Sequence, residues 1–320
     1  MIDYMFNELS VKEYSSREVA NERMALFVRV CRALNRIGFR SLRLHEDIGD
    51  NLFNIRIAEN YQVSQWIEQH NEREITNGFR DLVTSAPLIN EDDPSLLEHW
   101  GSIEYTFGEE EAHGLGAAHH LDTIAVSLKW DDGPFLSDTV IIKKYELDES
   151  LDTSEENVSV LHACEVEQAE QRADWYQQKL RAIAEKMRDL WERREEYFPN
   201  LILCGETEQN LGSSQVLGGI SRVVEKLQRL DRYAAQWEEG GFSTNDVEEF
   251  GIRVSMESES TMQNSRLRNR RRFRLPDDSR ETFEPHIKAG DLRFHFYADE
   301  ENHKIYVGYI GPHLPTSNFQ

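Results

Sequence analysis

Residues 292–310 read L-R-F-H-F-Y-A-D-E-E-N-H-K-I-Y-V-G-Y-I, and this stretch defines the C-terminal part of the fold. Residues 292–297 and 304–310 are rich in aromatic and apolar residues and flank a polar turn, which predicts a β-hairpin. Because side chains alternate along a strand, Leu292, Phe294 and Phe296 share one predicted face. The other face carries Arg293, His295 and Tyr297. We therefore expect one core-forming face and one face that presents a cation, an imidazole and a phenol.

A basic segment precedes this hairpin. Residues 265–274 contain six arginines: Arg266, Arg268, Arg270, Arg271, Arg272 and Arg274. Residues 265–295 carry nine Lys and Arg against five Asp and Glu, which is +4 in a chain of −23, so the other residues sum to −27. Because the rest of the chain is strongly acidic and repels a polyanion, any contact with nucleic acid has to be local. The alternatives are that these arginines pair with the chain's own carboxylates or that they lie in a solvated loop.

The bulk composition is that of a globular protein with two or three cores. The chain has 320 residues, of which 39% are hydrophobic and 30% charged. No apolar run approaches the roughly 20 residues that span a bilayer, and the acidic first ten residues lack the pattern of a secretory signal. The sequence therefore predicts a cytoplasmic protein with no membrane partner. Cys31, Cys164 and Cys204 lack ligand spacing, which favours buried free thiols over a metal site or a disulfide.

Two heptad seams occupy the middle of the chain. The first consists of Val166, Ala169, Ala173, Tyr176, Leu180, Ile183, Met187 and Leu190. The second consists of Val216, Ile220, Val223, Leu227, Leu230, Ala234 and Trp237. A connector with Pro199, Gly205 and Gly212 lies between them, so we expect an antiparallel helical hairpin. Dimerisation of one seam with a second chain is the alternative.

The N-terminal part mixes helical and strand patterns. A helix is predicted to begin after an N-cap at Ser15 or Ser16 and to stop at Gly38, and a second helix is predicted over residues 63–83. Strands are predicted at residues 102–107, 123–130 and 139–147, followed by a loop or domain boundary at 148–157. The predicted fold class is therefore α+β. It comprises an N-terminal α+β domain (1–150), a central coiled-coil hairpin (151–240) and a basic, β-rich antiparallel C-terminal domain (241–320).

The C-terminal hairpin resembles the last part of the RelE/ParE superfamily of bacterial toxins. The resemblance covers about thirty residues and rests on Lys288, Gly290, Arg293, the turn around Asp299, and the closing Ile310, Gly311 and His313. It implies a RelE-like β domain and a metal-independent endoribonuclease, in which the ribose 2′-hydroxyl attacks its own 3′-phosphate. No cofactor and no metal are expected.

This resemblance implies a set of catalytic residues. Arg293 would stabilise the phosphate charge, since a guanidinium offers a fixed fork of donors. His286, His295 and His313 are candidates for the base and the acid, because imidazole titrates near neutral pH. Lys288 would bind an adjacent phosphate.

The whole chain resembles a family of bacterial proteins that share the opening F-N-E-L-S, the connector F-P-N-L-I-L-C and the closing Y-I-G-P-H-L-P-T. Such proteins are similar to components of toxin or phage-defence loci. We therefore expect an RNA-binding protein and endoribonuclease, with RNA or the ribosome and a protein of the same locus as partners. The alternative is a non-catalytic interaction subunit of a bacterial defence or toxin–antitoxin complex.

A second group of histidines and acids lies in residues 108–120, which read G-E-E-E-A-H-G-L-G-A-A-H-H. Imidazole and carboxylate ligands suit Zn or Mn, and Glu109 and His113 have i, i+4 spacing. His113 and His119 do not, since they are six residues apart. We therefore interpret Gly114 and Gly116 as residues that shape a turn.

Overall fold

The computed structural model describes residues 2–45, 48, 52–84, 86, 88–89, 102–147, 153–213, 216, 220–290 and 292–317. The chain divides into two compact units, residues 2–178 and residues 179–320. This division coincides with neither of the boundaries predicted after residues 150 and 240. Among the described residues, no helix is long and apolar enough to cross a membrane.

The first unit contains five helices and nine strands among its described residues, with a sixth helix crossing the division. The helices are Arg17–Ile37 (α1), Val63–Gln69 (α2), Arg73–Thr84 (α3), His113–His120 (α4), Val166–Glu170 (α5) and Ala173–Glu192 (α6). The strands are Tyr4–Phe6 (β1), Leu42–Arg43 (β2), Arg56–Ala58 (β3), Tyr61–Gln62 (β4), Ile103–Phe107 (β5), Glu110–Glu111 (β6), Ile124–Val126 (β7), Thr139–Leu147 (β8) and Thr153–Ala163 (β9).

A mixed seven-stranded sheet forms the centre of the first unit, in the order β2-β1-β7-β9-β8-β5-β6. Strands β2, β1, β7 and β9 are parallel to one another, and the β9-β8-β5-β6 portion is antiparallel. The predicted helix between Ser16 and Gly38 is confirmed, because Ser16 Oγ accepts a hydrogen bond from the Val19 amide and Gly38 caps the other end. The long second helix is instead two helices, α2 and α3. The predicted loop at 148–157 is wrong from Thr153 onward, where β9 begins, and residues 148–152 lie outside the described residues.

The second unit has six helices and seven strands after α6 among its described residues. The helices are Arg194–Tyr197 (α7), Thr207–Leu211 (α8), Ile220–Gln236 (α9), Thr244–Glu248 (α10), Glu259–Gln263 (α11) and Ser265–Asn269 (α12). The strands are Leu201–Leu203 (β10), Val254–Ser255 (β11), Arg272–Arg274 (β12), Arg280–Thr282 (β13), His286–Ala289 (β14), Leu292–Asp299 (β15) and Lys304–Pro312 (β16).

A five-stranded sheet organises the second unit, in the order β10-β16-β15-β14-β11. The predicted hairpin is confirmed as β15 and β16, with a register shift between His295 and Phe296. The sheet is not purely antiparallel as expected, because β10, from the connector between the two seams, pairs in parallel with β16. Strands β12 and β13 form a separate antiparallel ribbon.

The predicted coiled-coil hairpin is not what the structure shows. In the first unit, α5 packs on α1, and Tyr176 of α6 contacts Phe39 and donates a hydrogen bond to the Gly38 carbonyl. In the second unit, α9 packs on β14 and β10. The N-terminal part of the first seam and the second seam thus find apolar partners elsewhere, and the described parts of α6 and α9 do not pack along one another. An apolar repeat of 3.5 residues marks a stripe that becomes buried. Another helix or a sheet can cover this stripe just as effectively as a second seam, so the repeat alone does not specify a coiled coil.

Candidate functional site

The arginine-rich segment of the second unit forms helix α12 followed by the β12–β13 ribbon. Its register places Arg274 directly opposite Arg280, with Arg272 opposite Thr282. Arg272, Arg274 and Arg280 therefore share one face and are all exposed, whereas Phe273 points the other way and is buried. We call this exposed face the arginine ribbon. Like charges directly opposite across a ladder are destabilising, so the face is not arranged for stability alone.

Few of these arginines are neutralised by the protein itself. Arg274 forms an exposed ion pair with Asp278 at 3.1 Å, and Arg272 donates a hydrogen bond to the Arg280 carbonyl at 3.0 Å. Arg266, Arg268 and Arg270 are exposed on and after α12, and no ion pair joins them to a described carboxylate. Of the three interpretations of this run, internal pairing with carboxylates of the described residues therefore applies to Arg271 and Arg274.

Arg271 is different from its neighbours, because its side chain is completely buried. Its Nε lies 2.6 Å from Oε1 of Glu257, whose side chain is 5% exposed. Nη1 donates hydrogen bonds to the carbonyls of Leu267 and Pro315 at 3.1 and 3.0 Å. The expected contact of Arg271 with nucleic acid does not fit this position, since the guanidinium holds together three segments of the unit's interior.

Glu257, His286 and His295 come together behind Arg271, and we call these three residues the histidine cluster. His286 lies opposite His295 in the ladder between β14 and β15, and the ring centroids are 5.1 Å apart. Nδ1 of His286 is 3.9 Å from Oε1 of Glu257. His295 is 1% exposed, and its Nδ1 donates a hydrogen bond to the Phe283 carbonyl at 3.0 Å.

Burial controls the ionisation of the two imidazoles. It lowers the pKa of His295 to about 3, with the charge of His286 as the next cause. Burial also lowers the pKa of His286, and the carboxylate of Glu257 opposes that effect. The predicted polar face of the hairpin is covered around His295, because this side chain is buried and Phe273, Phe283 and Tyr309 form a buried cluster nearby. These two histidines lie out of reach of a bulky substrate, so direct catalytic roles for them do not fit this geometry.

The remaining predicted catalytic residues lie nearer the surface. Lys288 is exposed and pairs in register with Arg293, which is half-buried. Arg293 Nη1 donates hydrogen bonds to the carbonyls of Gly290 and Leu292 at 2.7 and 2.9 Å. His313 is exposed just after β16, and its pKa is lowered by partial burial and then by the charge of Arg293. The structure thus brings a cation and an accessible imidazole within electrostatic range of each other.

Glu257 is the residue that the sequence reasoning missed. It follows the short strand β11, in which Ser255 pairs with His286, and it precedes the N-cap Ser258 of α11. Nothing in its local sequence distinguishes it from the other 58 acidic residues of the chain. The only available signal was the excess of carboxylates, which indicated that some arginines would pair internally.

The histidines of residues 108–120 have a structural explanation in the first unit. His113 starts α4, and the Gly114 amide donates a hydrogen bond to Oε2 of Glu8 at 2.9 Å. A side chain at Gly114 or Gly116 would collide with Phe6 or Tyr105, so both glycines allow close packing of the helix instead of shaping a turn. Within the described residues, these histidines are not part of a group with the arrangement of metal ligands.

Comparisons with known proteins add no assignment. No protein family, no curated protein and no solved structure matches this chain.

Proposed function

We propose that this protein binds single-stranded RNA through the arginine ribbon and the neighbouring exposed arginines of α12. One observation carries the proposal: of the seven arginines between residues 266 and 280, five have no carboxylate partner among the described residues, in a chain whose net charge is −23. Guanidinium groups bind phosphate oxygens through paired hydrogen bonds. Arg274 and Arg280 lie directly opposite each other in the ladder, and a bound external anion would relieve the repulsion between them.

The proposal includes cleavage of the bound RNA at Arg293 and His313, in the manner of RelE-like endoribonucleases. The neutral imidazole of His313 takes the proton of a ribose 2′-hydroxyl, whose oxygen attacks the adjacent phosphorus. The bond to the 5′-oxygen breaks, and this oxygen takes a proton from water. Arg293 stabilises the charge that builds on the phosphate, and Lys288 holds a neighbouring phosphate. The products are a 2′,3′-cyclic phosphate and a 5′-hydroxyl.

The partial burial of Arg293 supports its assigned role. Its Nη1 is held by two backbone carbonyls, so the guanidinium is oriented before substrate arrives. A charge fixed in advance stabilises a transition state more effectively than one that must reorganise. A bacterial toxin or phage-defence effector is the class of protein that this activity would serve. In that class, the ribosome or a protein of the same locus would be a partner.

The test of binding uses a fluorescent single-stranded RNA with 2′-O-methyl groups, which the protein can bind but cannot cut by this mechanism. The full-length protein with Arg272, Arg274 and Arg280 all replaced by Ala is compared with wild type by fluorescence anisotropy. Three lost phosphate contacts at about 0.7 each predict a loss of affinity of about 100-fold near 0.1 M salt.

The matched control replaces three exposed arginines outside this surface, Arg181, Arg188 and Arg253, with Ala. It changes the net charge equally and is expected to bind almost as wild type does. Equal losses in both triple variants would contradict a local RNA-binding surface. Binding without new RNA ends on an unmodified substrate would favour the non-catalytic interaction subunit of a defence or toxin–antitoxin complex.

A further inference from the structure

Three adjacent strands converge on the histidine cluster. Ser255 of β11 pairs with His286 of β14, which pairs with His295 of β15. Glu257 lies two residues beyond Ser255, and side chains two positions apart project to the same side of an extended chain. One donor atom from each of Glu257, His286 and His295 lies within 4.8 Å of the donor atoms of the other two. We infer that the histidine cluster binds one divalent transition-metal ion, of which Zn²⁺ is the representative.

The ligand set selects the class of ion. Two imidazoles and one carboxylate suit Zn²⁺, Fe²⁺ and Co²⁺, whereas Mg²⁺ and Ca²⁺ prefer oxygen ligands throughout. Zinc bonds of about 2.0–2.1 Å place tetrahedral ligand atoms about 3.4 Å apart, so side-chain rotations that close the largest separation in the cluster by up to about 1.4 Å complete the site. Water or an anion takes the fourth position.

A hydrogen bond beside the cluster prepares the imidazole of His295 for a metal. A backbone carbonyl only accepts, so the contact with the Phe283 carbonyl requires the proton of His295 to be on Nδ1. The lone pair is then on Nε2. Metal-binding histidines commonly have this arrangement, in which a carbonyl or carboxylate fixes the tautomer and the orientation of the ring.

Arg271 sets the charge balance of the site. Its guanidinium contacts Oε1 of Glu257, the same carboxylate oxygen that lies 3.9 Å from His286 Nδ1, so Arg271 and a metal ion would compete for this carboxylate. The charges of the carboxylate and the guanidinium cancel, so a divalent ion would enter a pocket of zero net charge. Because the positive charge of Arg271 disfavours a cation there, removal of Arg271 is expected to strengthen metal binding. An ordinary structural ion pair predicts no such gain. The inference does not depend on RNA binding.

The experiment uses the full-length chain without an affinity tag, treated with a chelator and then titrated with Zn²⁺ by calorimetry. Wild type is expected to bind one ion per chain. Glu257→Gln and His286→Asn each remove a ligand with little change of shape and should weaken binding by about 100-fold or more. The matched control His303→Asn alters a histidine in the turn between β15 and β16 and should bind as wild type does.

A second variant tests the inference through a gain of metal binding instead of a loss. Arg271→Met should bind Zn²⁺ more tightly than wild type, and Zn²⁺ should raise its melting temperature by more than it raises that of wild type. The inference is overturned if wild type binds no Zn²⁺, if the two ligand variants bind as wild type does, or if Zn²⁺ gives Arg271→Met no additional stabilisation.

Discussion

Arg271 and Glu257 form an ion pair of 2.6 Å in which the arginine side chain is 0% and the glutamate side chain 5% exposed. Arg271 directly precedes the exposed arginine ribbon in the chain, and Glu257 lies beside the two buried histidines. Within one run of six arginines, a single residue thus stabilises the fold while its neighbours remain available to bind a ligand.

Removal of Arg271 should therefore affect stability and not only charge. Arg271→Ala leaves a buried carboxylate unpaired, and we expect a loss of about 3–5 kcal/mol in the free energy of unfolding. Arg272→Ala, the matched control on the exposed face, should change it by no more than about 0.5 kcal/mol. Urea denaturation in the presence of EDTA measures both. Equal, small effects would contradict the buried pair.

Close packing at the end of β10 gives a second prediction. Gly205 has φ +62°, and a Cβ there would lie 2.6 Å from the Gly308 carbonyl oxygen and 2.9 Å from Phe273 Cβ. We expect Gly205→Ala to destabilise the protein by about 2 kcal/mol or more, from a backbone strain of about 1 kcal/mol and the collision. Gly212 has helical φ, and its nearest neighbour would be 3.6 Å away, so Gly212→Ala should have little effect. Similar melting temperatures for the two variants would show that the β10–β16 pairing is not as described.

How much of the second unit can be predicted from the sequence depends on how far apart in the chain its contacting residues lie. The β15–β16 hairpin is evident from alternation around a local turn. Strand β10 has three residues and depends on a partner 104 residues away, since Leu201 pairs with Ile305. Glu257 likewise depends on Arg271 and His286, which no local pattern connects to it. The heptad seams correctly indicate buried stripes but do not specify what covers them.

The first unit should lose stability in acid through His162. This side chain is completely buried, with Nδ1 donating to the Ser137 carbonyl at 2.8 Å and Nε2 accepting from the Ser127 hydroxyl at 2.7 Å. Burial lowers its pKa from 6.5 to about 4. The unfolded chain therefore binds this proton first, so the stabilising contribution is present above pH 6.5 and is lost as pH falls towards 4. The loss amounts to about 3 kcal/mol at most.

The variant His162→Gln isolates this effect. It lacks the titrating group, so the difference in unfolding free energy between wild type and variant should shrink between pH 7 and pH 4. Chemical denaturation at several pH values measures this difference. A difference that stays constant across the range would mean that His162 is not buried in its neutral form.

Cleavage should depend on Arg293 and His313 and should not require a metal ion. Arg293→Ala removes a preorganised charge and should slow cleavage by about 10²-fold or more, while His313→Ala should slow it by about 10²- to 10⁴-fold. Gel analysis of unmodified RNA measures the rates and identifies the 2′,3′-cyclic phosphate ends. The same RNA with 2′-deoxy sugars is the control and should remain uncut. Cleavage of the deoxy substrate would contradict 2′-hydroxyl attack, and complete loss of activity in EDTA would contradict independence from a metal ion.

The salt dependence of RNA binding reports how many phosphates the arginine ribbon contacts. For single strands, the logarithm of the affinity falls with the logarithm of salt concentration by about 0.7 for each phosphate contact. Replacing Arg272, Arg274 and Arg280 with Ala should therefore make this slope less steep by about 2, while the triple variant of Arg181, Arg188 and Arg253 keeps the wild-type slope. An unchanged slope in the ribbon variant would contradict RNA binding by the arginine ribbon.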